Sequence, residues 1–441
     1  MNFIFRTYFR FVLLLLIAAL VFGVLACWAF LYPETFNGFL PFQQIRPFHV
    51  SAAVFWIISA AAIGIMYYKN EEFEAKSKFK DGEILFMATW FFTIIIIFIQ
   101  YSLKHFGGRE YWEFPSELNI PILAGWIMFM ISYYRSLFKY KYQDTIPAYV
   151  WMWSTGILFF LFTFIEQNLY NIPWFRTSFL KEMTIQWKAN GSMVGAWNQM
   201  VYGTALFLMV KISGDKSIAT NKKAFFSYFL GLTNLMFNWG HHIYNVPSAS
   251  WIRTVSYSIS MTEWVVFIII IQGFKSKLEE RRRLRHIIEY KFLIASEFWI
   301  FVNLLLALFM SIPAINRYTH GTHITVAHAM GTTIGINTMI LLASVCYMLN
   351  INEDKQYSNR FIVFGFWLSQ VSLLVFWLSL IVAGILKGYR TISLGKTNYT
   401  DIMEPVIQVL NIFSYSGLIL LMGISIIAVV LMRRIGSFKY E

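Results

Sequence analysis

Apolar runs of about 20 residues recur along the whole chain, and this feature limits the possible folds more than any other. A helix of that length crosses the hydrocarbon core of a bilayer, because each residue adds about 1.5 Å. Hydrophobic residues make up 58% of the 441 residues and charged residues only 13%, which excludes a water-soluble globule and a disordered chain. The sequence therefore predicts an all-α, polytopic membrane protein.

Twelve transmembrane helices are predicted, in a single transmembrane domain over residues 1–441 with no separate soluble domain. Their expected ranges are 10–32, 47–68, 83–103, 121–139, 146–169, 192–213, 223–242, 251–273, 291–314, 320–348, 359–387 and 407–432.

The basic residues predict the orientation of the chain. If the N-terminus is cytoplasmic, 25 of the 36 lysines and arginines fall in cytoplasmic segments, as the positive-inside rule requires. The run between Lys275 and Arg285 is the strongest anchor. Since the number of predicted spans is even, both termini are expected in the cytoplasm.

Seven of the eight histidines are expected at one depth, near the non-cytoplasmic face. A single histidine at a helix end is usually structural, but polar side chains gathered inside a bilayer indicate a site. Imidazole is a common ligand of heme iron, non-heme iron and copper. The seven are His49, His105, His241, His242, His320, His323 and His328.

His328 and Met330 in predicted span 10 point to opposite helix faces, because two residues correspond to a rotation of about 200°. Histidine and methionine are both axial ligands of heme iron. One helix could therefore serve two hemes, although ordinary apolar packing remains the alternative for Met330.

Four segments carry a resemblance to a known family. They occur in the order PFQQIRPFHVSAAVFWII, GREYWEFPS, NWGHHIYNVP and THGTHITVAHAM. With the twelve predicted spans, they resemble the heme-copper oxidase superfamily, and more closely the large, catalytic subunit of bacterial nitric oxide reductase. The resemblance covers nearly the whole chain.

The resemblance implies two b-type hemes and one non-heme metal, with iron favoured over copper. It assigns His49 to the low-spin heme and His328 to the high-spin heme. It assigns His241 and His242 to the non-heme metal. Glu263 falls where these reductases have a buried glutamate, and it is expected to donate protons or to tune the metal; helix packing is the alternative.

The loop after predicted span 3 is also given a role by the resemblance. It assigns Glu110, with Glu113 nearby, to a calcium site beside the heme propionates. Arg109 is expected to help organise the propionates and proton entry. The alternative is an exposed charged loop.

Two positions depart from the family pattern. Asn190 stands where the family has a third histidine ligand of the non-heme metal, and Val194 stands where reductases have a glutamate ligand. Asn190 is expected as a weak oxygen ligand of a variant site, or else the site is degenerate. Met330 replaces the second histidine of the low-spin heme, and a His/Met heme of higher potential is expected.

The activity implied by the resemblance is the reduction of two NO to N2O and water with two electrons and two protons. An oxygen reductase needs a tyrosine close to the metal, yet the nearest tyrosine upstream of His241 is Tyr228. Three alternatives stay open: a terminal oxygen reductase, a non-catalytic electron-transfer subunit with a degenerate metal site, and a transporter with a histidine-lined site.

The resemblance implies a small c-type cytochrome subunit as partner. The chain itself has no CxxCH motif to hold a heme c. Quinol is a second possible electron donor. The expected location is a bacterial inner membrane, with the heme side facing the periplasm and no contact with nucleic acid.

Overall fold

The computed structural model describes residues 3–36, 40–73, 81–243, 249–260, 263–353 and 358–437. Its regular elements are all helices within these ranges, apart from one isolated bridge between Arg109 and Trp112. The prediction of an all-α membrane protein is confirmed.

Fourteen of the helices build the body of the described fold. They are α1 (Phe3–Leu31), α2 (Phe42–Glu72), α3 (Asp81–Ser102), α4 (Asn119–Lys139), α5 (Ala148–Gln167), α6 (Ala189–Ser213), α7 (Lys222–Phe237), α8 (Ser250–Ser260), α9 (Glu263–Lys277), α10 (Ile287–Ser311), α11 (His323–Met330), α12 (Met339–Met348), α13 (Ser358–Gly388) and α14 (Tyr399–Ser437).

Shorter helical segments connect or extend these helices. The short α-helices are Pro33–Phe36, Phe179–Met183, Ser217–Thr220, Glu280–Arg285 and Pro313–Thr319, the 3₁₀ turns are Ser116–Leu118, Asn168–Asn171, Pro173–Thr177, Asn238–Ile243 and Ile351–Glu353, and the π-helical segments are Thr184–Lys188, Gly331–Thr338 and Tyr389–Ser393. The π-helical segment between α11 and α12 joins them into one apolar stretch, His323–Met348.

The described residues hold ten helical stretches long and apolar enough to cross a membrane, compared with the twelve predicted. Predicted span 7 corresponds to α7, which has 16 residues and ends in a 3₁₀ turn. Predicted span 8 covers α8 and α9, which lie on either side of residues 261–262, outside the described ranges. α7 is shorter than the roughly 20 residues that a spanning helix needs.

The helix α8 is rich in hydroxyl side chains, as its sequence SWIRTVSYSIS shows. The Ser258 hydroxyl donates to the Thr254 carbonyl within the helix, and the Ser256 hydroxyl donates to the Phe237 carbonyl of α7. The Ser256 hydrogen bond therefore joins α8 to α7.

The helices that carry the candidate site are the most buried ones. α2, the stretch containing α6, and the stretch His323–Met348 are mostly buried against other helices, whereas only 39% of the residues in the apolar windows of α1, α3 and α10 are buried. A helix enclosed on all sides can place polar side chains away from lipid. The site residues therefore lie on the inner helices of the bundle.

Two hydrogen bonds fix how these inner helices align. The Trp56 indole on α2 donates to Thr338 at 3.0 Å, and the Asn337 amide donates to Asn198 on α6 at 3.1 Å. Further along, the Tyr68 hydroxyl binds Ser344. Both partners of the second contact, Tyr68 and Ser344, come later in sequence than Trp56 and Thr338. α2 and the stretch His323–Met348 are therefore parallel.

Candidate functional site

His49 lies near the start of α2 and is oriented by α1. Its Nδ1 is 2.7 Å from the Ala19 carbonyl oxygen. A carbonyl can only accept, so Nδ1 carries the proton and Nε2 keeps its lone pair. The ring packs on Gly23, where an added Cβ would be 3.0 Å from it. This is how a protein commonly orients a metal-ligating histidine.

His49 and the His328–Met330 region lie at one depth. His49 is seven residues before Trp56, and Gly331 is seven residues before Thr338, the two residues that are hydrogen-bonded to each other. Both intervals correspond to about 10 Å along a helix. The first turns of α2 and the end of α11 are therefore level in the membrane.

Asn190 on α6 lies at this depth too. It is eight residues before Asn198, which accepts from Asn337, and Met330 is seven residues before Asn337. The sequence placed these residues on separate spans. The parallel inner helices bring His49, Asn190 and His328 to one level.

His328 is held through its backbone. The side-chain amide of Asn303, fully buried on α10, donates to the His328 carbonyl at 3.1 Å and to the Thr332 hydroxyl at 2.9 Å. His328 Nδ1 is buried and has no hydrogen-bond partner among the described residues. A buried imidazole nitrogen without a hydrogen-bond partner is expected where a further group binds.

Met330 is partly buried and packs against the main apolar core. It is the last residue of α11, directly before the π-helical segment that begins at Gly331. Such segments are frequent at functional sites, since they shift the side chains that follow.

Asn190 belongs to a buried amide network at the end of the bundle where α2 and α6 begin. Gln167, the last residue of α5, accepts from the Trp112 indole at 2.6 Å and donates to the Glu110 carbonyl at 3.0 Å. The same Gln167 amide nitrogen donates to Asn190 Oδ1. Asn190 Nδ2 has no partner within the described part of the chain. Gln167 gave no recognisable signal in the sequence.

The chain around His241 and His242 is described in its backbone alone. Both residues belong to the 3₁₀ turn Asn238–Ile243 that follows α7, and Gly240 of that turn packs on Ser256 of α8. α7 also approaches α6 closely, where Leu235 contacts Gly195.

The side chains of His241, His242 and Glu263 lie outside those that the structure describes. Within the side chains that it does describe, no group of three or more His, Cys, Asp and Glu residues could hold a metal ion.

The loop after α3 gathers charged residues around an arginine that the sequence analysis did not single out. Arg46 is 2.7 Å from Glu113 and 3.5 Å from Glu110. It lies three residues before His49, a spacing that places both on one face of α2. The three-residue spacing from His49 was the feature of the sequence that could have identified Arg46.

Burial raises the pKa of Glu113, against the lowering effect of Arg46, and Glu110 adds a smaller increase. Burial, aided by the Glu110 charge, also raises the pKa of Tyr111 to about 12. Arg46 carries one positive charge against the two carboxylates, so the three side chains together keep a net negative charge.

Arg109 and two of the histidines have other surroundings. Arg109 pairs with Glu182, and its guanidinium carbon lies 4.7 Å from the centre of the Tyr170 ring. His105 is exposed and binds the Gln100 amide oxygen at 2.8 Å. His320 is exposed as well. These contacts are typical of structural surface residues.

Comparison with known proteins identifies related chains. The model of the family described as "Cytochrome C and Quinol oxidase polypeptide I" matches residues 3–420. Cytochrome c oxidase subunit 1 of Rhodobacter capsulatus is 22% identical over 364 residues, which cover 80% of this chain and 68% of the relative. A nitric oxide reductase subunit of Stutzerimonas stutzeri is 23% identical over 416 residues, which cover 87% and 83%.

A solved structure of a heme-copper terminal oxidase dimer has the same fold. It superimposes with a TM-score of 0.78 at 13% identity and covers 100% of this chain and 85% of the other. At these identities, oxygen-reducing and NO-reducing relatives are equally compatible with the sequence.

Proposed function

Because the chain belongs to the cytochrome c and quinol oxidase polypeptide I family of oxidoreductases, we propose that it is a nitric oxide reductase-like catalytic subunit. The proposed reaction takes two NO, two electrons and two protons to N2O and water. The family implies hemes and a metal centre, and the proposal makes these two b-type hemes and one non-heme metal.

One observation supports the proposal most strongly. The parallel alignment of the inner helices brings His49, Met330, His328 and Asn190 to a common depth, although they are far apart in sequence. A membrane-embedded redox centre requires such convergence, since ligands on different helices must reach the same groups.

The described residues fit heme binding. His49 has its Nδ1 fixed by Ala19, which leaves Nε2 for iron, and the buried His328 Nδ1 lacks a partner in the described residues. We propose that His49 and Met330 hold the low-spin heme and that His328 holds the high-spin heme. When bound, the hemes supply electron transfer and a site for the substrate.

The remaining roles belong to residues around this centre. His241 and His242 would hold the non-heme metal, for which iron is proposed. Glu263 would deliver protons from within the membrane. Arg109, Glu110 and Glu113 would organise the outer rim. Glu110, with Glu113 nearby, would hold a calcium ion beside the heme propionates.

We propose NO as the substrate, and not O2, because no tyrosine lies in the turns just before His241. Tyr228 is the nearest tyrosine upstream of His241, and it packs against Trp151 with 6.4 Å between the ring centres. Tyr228 lies thirteen positions before His241, about 20 Å along a helix. At that distance Tyr228 itself cannot serve the metal during O2 cleavage.

A second candidate is a non-catalytic electron-transfer subunit that has lost its non-heme metal. The residues that favour it are Asn190 and Val194, which replace two ligands of the family.

We propose a small c-type cytochrome subunit as electron donor, with quinol as the alternative. The chain is proposed to cross a bacterial inner membrane twelve times, with both termini in the cytoplasm and the heme side facing the periplasm.

The test combines composition with turnover. Purified protein is assayed for protoheme by pyridine hemochrome, for iron and copper by mass spectrometry, and for consumption of NO and O2. Two hemes, one additional iron and faster NO turnover are expected. Two hemes with no additional metal would support the electron-transfer subunit instead, and faster O2 turnover would support an oxygen reductase.

The variant His328→Ala tests the two-heme arrangement. It should remove the high-spin heme signal and leave the low-spin signal in place, because Met330 faces the opposite side of the helix. Loss of both signals, or of neither, in folded protein would contradict this arrangement.

A further inference from the structure

The Asn190 amide is held in one orientation by Gln167. The Trp112 indole can only donate, so the Gln167 atom that it binds at 2.6 Å is Oε1. The Glu110 carbonyl can only accept, so the Gln167 atom 3.0 Å from it is Nε2. That same Nε2 donates to Asn190, which must therefore present Oδ1 to it.

This orientation leaves Asn190 Nδ2 at the free end of the amide. Asn190 is 3% exposed, and Nδ2 has no acceptor among the described residues. Rotation of the amide by 180° would place its N–H groups against those of Gln167. A buried donor without an acceptor is costly, so a group that the described residues do not include must accept from it.

Trp197 repeats the pattern on the same helix. It is seven residues after Asn190, which places it on the same face of α6. It is 2% exposed, and its indole Nε1 has no acceptor in the described part of the chain. Val194 lies between them on that face. This face of α6 thus offers hydrogen-bond donors, without a carboxylate or imidazole.

We propose that Asn190 acts as a hydrogen-bond donor to a small anion or oxygen-bearing ligand of the centre, and not as a metal ligand. This inference rests on the proposed function, because it takes His241 and His242 as the protein ligands of the non-heme metal. Nδ2 has two hydrogens and no lone pair for a metal. At the position where the family has a histidine ligand of the non-heme metal, this chain therefore has a hydrogen-bond donor.

Azide is the probe for the test, because it is a small anion that accepts hydrogen bonds. Its affinity for the oxidised, heme-loaded protein is measured by optical titration, and its stretching frequency is measured by infrared spectroscopy. Asn190→Ala should retain the non-heme metal and raise the Kd of azide about ten- to a hundredfold, the effect of losing one hydrogen bond to a charged group. Loss of the metal, or an unchanged Kd, would overturn the inference.

Gln167→Glu tests the orientation without removing Asn190. A carboxylate accepts where the amide donated, so Asn190 should turn Nδ2 toward it and Oδ1 toward the centre. Azide affinity should then fall as it does in Asn190→Ala. An azide affinity and a stretching frequency equal to those of the wild type would refute the locked orientation.

Ser213→Ala is the matched control. It removes a hydrogen-bonding side chain from the opposite end of the same helix, where the hydroxyl donates to the Met209 carbonyl at 2.7 Å. Its azide affinity should equal that of the wild type, and an equal loss of affinity in this variant would overturn the specific role of Asn190. The proposed function and the donor role of Asn190 can be refuted independently. A wild-type protein without non-heme metal refutes the proposed function. Metal loss confined to Asn190→Ala refutes the donor role alone.

Discussion

At the scale of single residues, the orientation of His49 depends on small neighbours. His49 lies in a space that Gly23 leaves open on α1, and the Ala19 carbonyl next to this space fixes the ring. Both residues determine where Nε2 points, the atom proposed to bind heme iron. A search for histidines in the sequence finds His49 but not the residues that orient it.

Gly23→Ala should therefore disturb the low-spin heme. The added Cβ would be 3.0 Å from two atoms of the His49 ring, so the ring must move and its hydrogen bond to Ala19 must weaken. We expect a shifted or reduced low-spin signal in optical and EPR spectra, with the high-spin signal unchanged. The control is Gly273→Ala, where an added Cβ meets nothing within 4 Å. Identical spectra for both variants would contradict the assignment of His49.

At the scale of helices, α2, α3 and α4 are joined by a buried ionic cluster. Lys69 and Glu83 form an ion pair, and both side chains are 0% exposed. Ser132 donates to Glu83 at 2.8 Å, and Lys69 donates to Ser136 at 3.3 Å. A buried charge is tolerated when it is paired and hydrogen-bonded. The cluster fixes the depth of α2 at the end opposite His49.

Lys69→Met should destabilise the fold strongly, because it leaves the Glu83 carboxylate buried without its cation. The expected loss is about 3–5 kcal/mol, seen as a lower midpoint of thermal unfolding in detergent. Adding Glu83→Gln to Lys69→Met should restore most of the stability, since the amide oxygen still accepts from Ser132.

The exposed pair Arg283–Glu280 supplies the control for this prediction. Arg283→Met should change stability by less than about 1 kcal/mol, as is usual for solvated ion pairs. Equal effects of Lys69→Met and Arg283→Met would show that burial does not set the strength of the Lys69–Glu83 pair.

The helices were predictable where one physical effect dominates. Long apolar runs such as 10–32 and 407–432 became α1 and α14, because backbone hydrogen bonds in a bilayer must be satisfied within the helix. Predicted span 7 was less regular, since its α-helix ends at Phe237 and a 3₁₀ turn follows.

The candidate site was predictable only in part. His49 and His328 lie at one depth, as their positions in the spans suggested. The role of Gln167 was not predictable, because a glutamine at a helix end becomes informative only when its three partners are known. The same holds for Asn303, whose contacts to His328 and Thr332 join α10 to α11.

At the scale of the whole molecule, the orientation in the membrane determines which side supplies electrons and protons. Ten described stretches are long enough to span, and predicted spans 7 and 8 would bring the number of crossings to twelve. With the twelve proposed crossings the two termini share one side, and the excess of basic residues predicts that this side is the cytoplasm.

Cysteine labelling tests this orientation with two matched positions. Lys216 lies between α6 and α7 on the expected cytoplasmic side, and Thr397 lies between α13 and α14 on the expected outer side; both are exposed. In a background lacking Cys27 and Cys346, a membrane-impermeant maleimide added to intact cells should label Thr397→Cys and not Lys216→Cys, whereas both should react after lysis. Labelling of Lys216→Cys alone would show that the protein has the opposite orientation in the membrane. It would place His49, Asn190 and His328 near the cytoplasmic face, where a periplasmic c-type cytochrome could not reach them.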